Sequence, residues 1–223
     1  MGENFRNWEN FNKTKKNYPK WPNEVMLKLL FGTYLKNQIQ LKSNMKVLDV
    51  GCGFGNNLAP FLLEGCSCSG TEVTAEMAAQ TKDLLQKRGF SVDVKEGVNQ
   101  KLPFEDKVFD VLISVNVIHY EKAETDIDMS FKEYKRVLKE GGKLILFTVG
   151  SKHDIFIRAK KQAPNKYEIA DYDFRNGEKF FFFETQEFLK KKLEKCFNNV
   201  EIGRVTEELM NKKIDYFVGA ANA

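Results

Sequence analysis

The segment Val47-Leu48-Asp49-Val50-Gly51-Cys52-Gly53-Phe54-Gly55-Asn56-Asn57 joins a short apolar run to three glycines at alternate positions. Helical spacing of apolar residues begins directly after it, at Leu58. Glycine permits positive φ and close approach of the backbone to a ligand, and the amides at a helix start attract polar or anionic groups. The segment therefore predicts a buried strand, a ligand-binding turn and a helix.

The spacing of the glycines separates two kinds of nucleotide site. Dinucleotide-binding turns have the spacing G-x-G-x-x-G, which places a pyrophosphate on the helix N-terminus. Here the spacing is G-x-G-x-G, and Asp49 stands two residues before Gly51. This D-x-G-x-G-x-G arrangement resembles motif I of the class I S-adenosylmethionine-dependent methyltransferases, of the small-molecule type found in methyltransferase domains 11 and 25. In that family the turn contacts the methionine half of the cofactor.

A second acid, Glu72, ends the next predicted strand, residues 66–73. Open α/β sheets bind ligands at the carboxyl ends of their strands, and a carboxylate there accepts hydrogen bonds from both hydroxyls of a ribose. The resemblance implies that Glu72 is the motif II acid and that Val73 packs on the adenine. An NAD enzyme would use its acid in the same way, so Glu72 predicts a ribose-bearing cofactor without choosing between the two families.

Three further phrases resemble the same family in chain order. Residues 97–104 resemble the loop after its third strand, with Val98 where an acid commonly recognises adenine and Asn99 as a substitute acceptor. F-D-V-L-I-S, residues 109–114, and R-V-L-K-E-G-G-K-L-I-L, residues 136–146, are typical of its fourth and fifth strands. The apolar runs predict these strands at residues 109–115 and 143–149, and Thr74 and Thr185 are predicted to start helices. The cofactor contacts that the resemblance implies are Asp49, Gly51, Cys52, Gly53, Gly55, Asn56, Glu72, Val73, Val98, Asn99, Val115, Tyr18 and Trp21.

Five predicted strands separated by four helices indicate right-handed crossovers and a parallel sheet. The resemblance implies an α/β fold, a Rossmann-like three-layer sandwich with a seven-stranded, mostly parallel sheet and an antiparallel C-terminal strand. We divide the chain into an N-terminal lid and helix, residues 1–40, and a methyltransferase domain, residues 41–223. A variable insertion on the substrate side is expected at about residues 151–184.

The N-terminal 22 residues hold more aromatic side chains than a disordered tail needs. In related methyltransferases such a segment closes over cofactor and substrate, and Tyr18 and Trp21 are the lid candidates. The alternative is that these aromatic side chains only cover the surface of the domain.

His119 is the candidate catalytic residue. It lies in the loop after the fourth strand, where a general base would stand, and an unperturbed pKa near 6.5 suits that task. The alternative is a role in packing or hydrogen bonding. The resemblance implies in-line displacement of a methyl group from S-adenosylmethionine, which leaves S-adenosylhomocysteine and requires no covalent enzyme intermediate.

The composition narrows the methyl acceptor. The chain has 35 Lys and Arg residues against 31 Asp and Glu, a net charge of +4. The basic residues are distributed too evenly along the sequence to indicate a nucleic-acid-binding surface. Residues 114–120 also lack an N-P-P-Y type motif, which would resemble enzymes that methylate amino groups of nucleic-acid bases or of glutamine. We therefore expect methylation of an O or N atom of a small-molecule acceptor, such as a sugar, a lipid-linked intermediate or an aromatic metabolite. The alternatives are a protein or RNA methyltransferase, or a cofactor-binding module without catalysis.

The remaining expectations concern the cellular setting. No apolar run approaches the roughly 20 residues that cross a bilayer, and no signal-peptide core is present, so we expect a cytoplasmic protein without a membrane span. Four cysteines are expected to be reduced, and Cys66 and Cys68 lack the partners of a metal site. We expect no metal, and the sequence carries no signal for the oligomeric state.

Overall fold

The computed structural model describes residues 21–223 together with Asn7 and Asn10, so the lid candidate Tyr18 lies outside the described residues. The helices are α1 (Glu24–Phe31), α2 (Ala59–Leu63), α3 (Ala75–Lys87), α4 (Glu124–Val137), α5 (Asp154–Arg158) and α6 (Gln186–Glu194), with 3-10 turns at Asn56–Leu58 and Ile118–Tyr120. The strands are β1 (Lys46–Val50), β2 (Ser67–Glu72), β3 (Asp93–Glu96), β4 (Phe109–Val115), β5 (Leu138–Val149), β6 (Lys160–Ala163), β7 (Lys166–Glu168), β8 (Lys179–Phe181), β9 (Asn198–Leu209) and β10 (Lys212–Asn222).

Seven strands form one sheet in the order β3-β2-β1-β4-β5-β10-β9. The pairs from β3 to β5 are parallel, whereas β10 is antiparallel to both of its neighbours, β5 and β9. The predicted fold class, a mostly parallel α/β sheet with an antiparallel C-terminal strand, is confirmed. The chain order reverses between β1 and β4, which is where open sheets of this kind bind ligands.

Two apolar clusters cover the two faces of the sheet. Leu48 and Val50 of β1 pack with α4 and α6 on one face, and Val47 packs with α1, α2 and α3 on the other. Strand β4 contributes buried residues to both clusters, which explains why its sequence is a nearly continuous apolar run. Helices on both faces give the three layers that the resemblance implies.

Polar side chains fix the starts of three helices. The side chains of Asn23, Thr74 and Thr185 accept hydrogen bonds from backbone amides in the first turns of α1, α3 and α6. Such caps satisfy amides that have no partner inside the helix. The predicted helix starts at Thr74 and Thr185 are therefore confirmed.

Two features differ from the sequence-based outline. Strand β5 begins at Leu138, before the expected Lys143, because Leu138 pairs with Phe109 and an irregularity between Phe109 and Val111 carries the ladder past two glycines. Strands β6, β7 and β8 form a separate antiparallel sheet within residues 160–181, inside the predicted insertion. Across the described part of the chain, no helix combines the length and the apolar character that a bilayer crossing requires.

Candidate cofactor and acceptor site

The glycine turn leaves the carboxyl end of β1 and is fastened to β2. Gly51, Gly53 and Gly55 have φ values of 65°, 56° and 71°, a region that favours glycine. The Cys52 amide donates to the Thr71 carbonyl at 3.0 Å. The sequence therefore needs glycine at all three positions, because the chain must reverse sharply while staying paired with its neighbour.

Glu72 meets this turn. Its Oε1 accepts a hydrogen bond from the Gly53 amide at 2.5 Å, and the Val73 amide also donates to this carboxyl. The side chain is 4% exposed, and this burial raises the pKa of Glu72 to about 7, although both amides lower it. The two predicted anchors of the cofactor site, the turn after β1 and the acid after β2, are therefore joined by one hydrogen bond.

Asp49 lies near Glu72 on the same side of the sheet. It is 1% exposed, and its Oδ2 has no hydrogen-bond partner within the described part of the chain. Burial and the neighbouring Glu72 raise the pKa of Asp49 well above its ordinary value. A buried carboxyl oxygen without a donor is costly, and a ligand that donates hydrogen bonds would relieve that cost.

The glycines differ in the space beside them. A Cβ on Gly51 would lie 2.7 Å from Val117 Cγ2, and one on Gly55 would lie 2.7 Å from the Leu85 side chain. A Cβ on Gly53 would meet no heavy atom within 4 Å. Open space at Gly53 beside two buried acids fits a ligand that carries an amino group and ribose hydroxyls, as S-adenosylmethionine does.

Asn56 and its neighbour connect the turn to other elements. Asn56 Oδ1 accepts from Arg88 Nη1 at 3.0 Å, so this amide ties the turn to the end of α3. Asn57 Oδ1 accepts from the Asn23 amide at 2.9 Å and so holds the start of α1 against the turn. Trp21, two residues earlier, is 84% exposed. Trp21 thus lies two residues before the attachment of Asn23 to the turn, and most of its side chain is in solvent.

The two residues predicted to recognise adenine have different surroundings. Val98 is 39% exposed and forms an isolated bridge with Lys101. Asn99 is 8% exposed; its Oδ1 accepts from Tyr134 Oη at 2.7 Å, and its Nδ2 donates to Glu121 Oε1 at 2.6 Å. The Asn99 carbonyl, suggested as a substitute for the usual acid, thus already accepts a hydrogen bond inside the protein.

The end of β4 closes the other side of the turn. Val115 is half-buried, and the next residue, Asn116, has a φ of 60°. Asn116 Oδ1 is buried and has no hydrogen-bond partner within the described residues. The contact between Gly51 and Val117 places this carbonyl beside the glycine turn. Sequence reasoning missed Asn116, although an asparagine directly after a central parallel strand was a usable signal.

His119 is enclosed by aromatic rings. The ring is 1% exposed and lies 4.9 Å from the Tyr120 ring and 4.8 Å from the Phe180 ring, centroid to centroid. Burial, with the charges of Arg175 and His153, lowers the pKa of His119 well below 6.5, so the ring is neutral at pH 7. Neutrality suits a base, whereas enclosure favours the alternative of packing.

A polar and aromatic group covers the carboxyl ends of β4 and β5 and the amino-terminal half of β10. His153 lies 5.8 Å from the Tyr172 ring and 5.6 Å from the Tyr216 ring, and the Asn116 side chain contacts Tyr216. Arg175 Nε donates to Asp173 Oδ1 at 3.0 Å, and the guanidinium lies over the Tyr172 ring. Most of the group lies within residues 151–184, where the sequence predicts that the substrate is selected. The sequence did not identify its buried acid, Glu178.

Comparisons with known proteins agree with this geometry. The family described as "Methyltransferase domain" matches residues 48–146. An uncharacterized protein of Methanocaldococcus jannaschii is 32% identical over 168 residues, which cover 73% of each chain. The sterol 4-C-methyltransferase strm-1 of Caenorhabditis elegans is 29% identical over 54% of this chain, and the match spans only 36% of that enzyme.

A solved structure shows the same fold. The crystal structure of a SAM-dependent methyltransferase from Methanosarcina mazei superimposes with a TM-score of 0.69 and 20% identity, over 91% of this chain and 98% of the other. Strand order, glycine turn, second acid and family match coincide in one region of the sheet. The chain belongs to the class I S-adenosylmethionine-dependent methyltransferases.

Proposed function

We propose that this protein transfers a methyl group from S-adenosylmethionine to an O or N atom of a small-molecule acceptor. The observation that carries the proposal is the meeting of Gly53 and Glu72, which joins the turn after β1 to the acid after β2. Asp49, beside them, supplies a buried oxygen that has no donor in the described residues. These groups are suited to hold the amino and ribose groups of the cofactor.

The bound cofactor supplies a methyl group already activated by a positively charged sulfur. The protein's own task is therefore to orient the acceptor and to exclude water. Asn116 is placed for the first task, because its unpartnered carbonyl lies at the end of β4 beside the turn. The rings of Tyr120 and Phe180, 4.6 Å apart, contribute to the second task by closing the adjacent surface.

The acceptor side supports a small molecule. Residues 151–183 place buried aromatic side chains over the ends of β4 and β5, among them Tyr167, Phe180 and Phe182. The basic residues seen in ion pairs are neutralised locally, as Lys192 is by Glu124 and Asp128. An enclosed aromatic surface suits a metabolite better than a nucleic-acid backbone.

We propose that residues 1–40 act as a lid and anchor for this site. Asn7 lies beside the Glu178 carboxyl and lowers its pKa, and this contact on the acceptor side supports the proposal. The bond between Asn23 and Asn57 fixes the start of α1 on the glycine turn. The methyltransferase domain then comprises residues 41–223, with residues 151–184 as its substrate-side insertion, and a cytoplasmic location stays a prediction.

Two measurements test the proposal. Calorimetry with S-adenosylhomocysteine is expected to give one binding site per chain, and a protein that binds none contradicts the proposal. Labelled S-adenosylmethionine is then incubated with the protein and a cell extract, which is separated by size. Label is expected in the small-molecule fraction. Label confined to macromolecules favours the protein or RNA alternative, and binding without transfer favours a module without catalysis.

A further inference from the structure

The small sheet presents one face to the acceptor side of the site. Phe180 of β8 packs on His119 and Tyr120, with ring centroids 4.8 Å and 4.6 Å away. Glu178 stands two residues before Phe180, and the Ile169 amide donates to its carbonyl at 2.9 Å, continuing the ladder between β7 and β8. Alternation along a strand therefore places the Glu178 side chain on the same face as Phe180.

The Glu178 carboxyl is buried without a settled partner. The residue is 2% exposed, and neither carboxyl oxygen has a hydrogen bond of full geometry in the described part of the chain, where the Asn7 side chain is the donor that approaches the carboxyl. Burial raises the pKa of Glu178 to about 7, while the Asn7 side chain and the Arg175 charge lower it. One amide fills only part of the acceptor capacity of a carboxylate, and buried oxygens without donors cost stability, so this group is suited to a hydrogen-bond donor that arrives from outside.

Neighbouring charges define that partner. Arg175 is the nearest cation, but Asp173 holds it through Nε and Nη2, and Tyr120 accepts a further hydrogen bond from it. The positive charge of Arg175 is therefore already balanced. Because a carboxylate only accepts hydrogen bonds, the partner must donate N–H or O–H groups. A cation is favoured over a neutral hydroxyl, because a charge-assisted hydrogen bond to a buried carboxylate is stronger than a neutral one.

We propose that Glu178 binds an amino group of the methyl acceptor, so that the acceptor belongs to the class of small amines. The inference rests on the proposed function and narrows it. Glu178 determines specificity, because it accepts hydrogen bonds from the amine and fixes its position against the end of β4. The methylated atom is either this nitrogen or another atom that the bound amine brings to the cofactor.

Matched probes test the inference by calorimetry on protein saturated with S-adenosylhomocysteine. The pairs are ethanolamine with ethylene glycol, benzylamine with benzyl alcohol, and 2-phenylethylamine with 2-phenylethanol. We expect an amine to bind at least about tenfold more tightly than its alcohol. Glu178→Gln should weaken amine binding by about tenfold or more and leave alcohol binding unchanged. Equal affinities within every pair, or no binding of any amine, overturn the inference.

A control variant and a stability measurement exclude a structural explanation. Glu168→Gln changes the same residue type in the same small sheet, where Glu168 contacts Gln162 at 3.4 Å near solvent, and it should leave amine binding unchanged. Glu178→Gln should keep or raise the melting temperature, since it removes a buried charge. A clear fall in melting temperature assigns Glu178 a structural partner and overturns the inference.

The failure of this inference is distinguishable from failure of the proposed function. If wild-type protein and Glu168→Gln do not bind S-adenosylhomocysteine, the proposed function fails. If both bind it and amines are not preferred, only the assignment of Glu178 fails. Labelled product that a cation exchanger does not retain leads to the same conclusion, because a methylated amine is retained.

Discussion

At the scale of single residues, the two buried acids beside the glycine turn determine how tightly the cofactor is held. Glu72 accepts hydrogen bonds from Gly53 and Val73 and remains able to accept others. We expect Glu72→Gln to weaken S-adenosylhomocysteine binding by about tenfold to a hundredfold, because hydrogen bonds to a charged acceptor are stronger than those to an amide. Calorimetry measures the change. An unchanged affinity would show that Glu72 serves the turn alone.

The same acid gives cofactor binding a pH dependence. Burial raises the pKa of Glu72 to about 7, and ribose hydroxyls donate to the ionised form. Affinity for S-adenosylhomocysteine should therefore rise as the pH increases through about 7 and level off above it. Titration of the wild type and of Glu72→Gln across this range checks the expectation. A rise that persists in the variant would belong to another group, with Asp49 the first to consider.

Two glycine substitutions should separate strain from ligand contact. Alanine at either position adopts a positive φ, at a cost of about 1–2 kcal/mol. Gly55→Ala also crowds Leu85, so it should lower the free energy of unfolding further than Gly53→Ala. Gly53→Ala fills the open space and should weaken S-adenosylhomocysteine binding about tenfold. Urea unfolding and calorimetry on both variants test this pattern, and identical behaviour of the two contradicts it.

His119→Phe decides between a base and a packing residue. The ring stacks between Tyr120 and Phe180, and phenylalanine preserves both contacts. Because enclosure favours packing, we expect turnover of the variant to stay within about threefold of the wild type. Kinetics with the identified acceptor measure this. A loss of a hundredfold or more, with unchanged binding of S-adenosylhomocysteine, would instead establish His119 as the predicted base.

At the scale of elements, a buried carboxylate joins the two C-terminal strands. Asp215 of β10 is fully buried and accepts from Arg204 and Thr206 of β9, and from the Lys152 amide after β5. Asp215→Ala leaves the Arg204 charge without its partner and should lower the free energy of unfolding by about 3 kcal/mol or more. Urea denaturation measures the loss. Lys213→Ala, which breaks an exposed pair with Glu208, is the control and should cost less than about 1 kcal/mol.

The elements also show how far the sequence predicts the structure. Strand β4 was predicted with its observed bounds, because a strand covered on both faces has an unmistakable apolar run. The small sheet was not predicted, since β6 reads Lys-Lys-Gln-Ala, is largely exposed, and is held by its pairing with β7 rather than by alternating buried side chains. Glu178 was missed for a related reason. A glutamate beside Gly177 reads as a surface turn until the fold buries it.

At the scale of the whole molecule, acids with raised pKa values and histidines with lowered pKa values change the stability in opposite directions as the pH changes. Glu72 and Glu178 favour the folded state when protonated, so their contribution to stability falls as the pH rises from about 4.5 to about 7. His119 and His153 are held neutral, so they remove stability as the pH falls below 6.5. The two effects oppose each other between pH 4.5 and 6.5, so stability should change less with pH there than either pair of groups alone would cause.

A difference experiment isolates one of these groups. The variant Glu178→Gln should gain stability relative to wild type as the pH rises from about 4.5 to 7, by at most about 3 kcal/mol. The histidines contribute equally to both proteins and cancel. Unfolding free energies at several pH values, measured without cofactor, give the difference curve. A constant difference would show that the pKa of Glu178 is the same in the folded and unfolded protein.

The position of β10 between β5 and β9 also affects how the chain folds while it is being synthesised. Strand β5 has no outer partner until residues 212–222 emerge, although it is among the longest strands of the sheet. The nascent protein therefore carries an open, apolar strand edge through much of its translation. A polypeptide that ends before residue 212 would keep this edge unpaired. We expect it to bind chaperones or to aggregate.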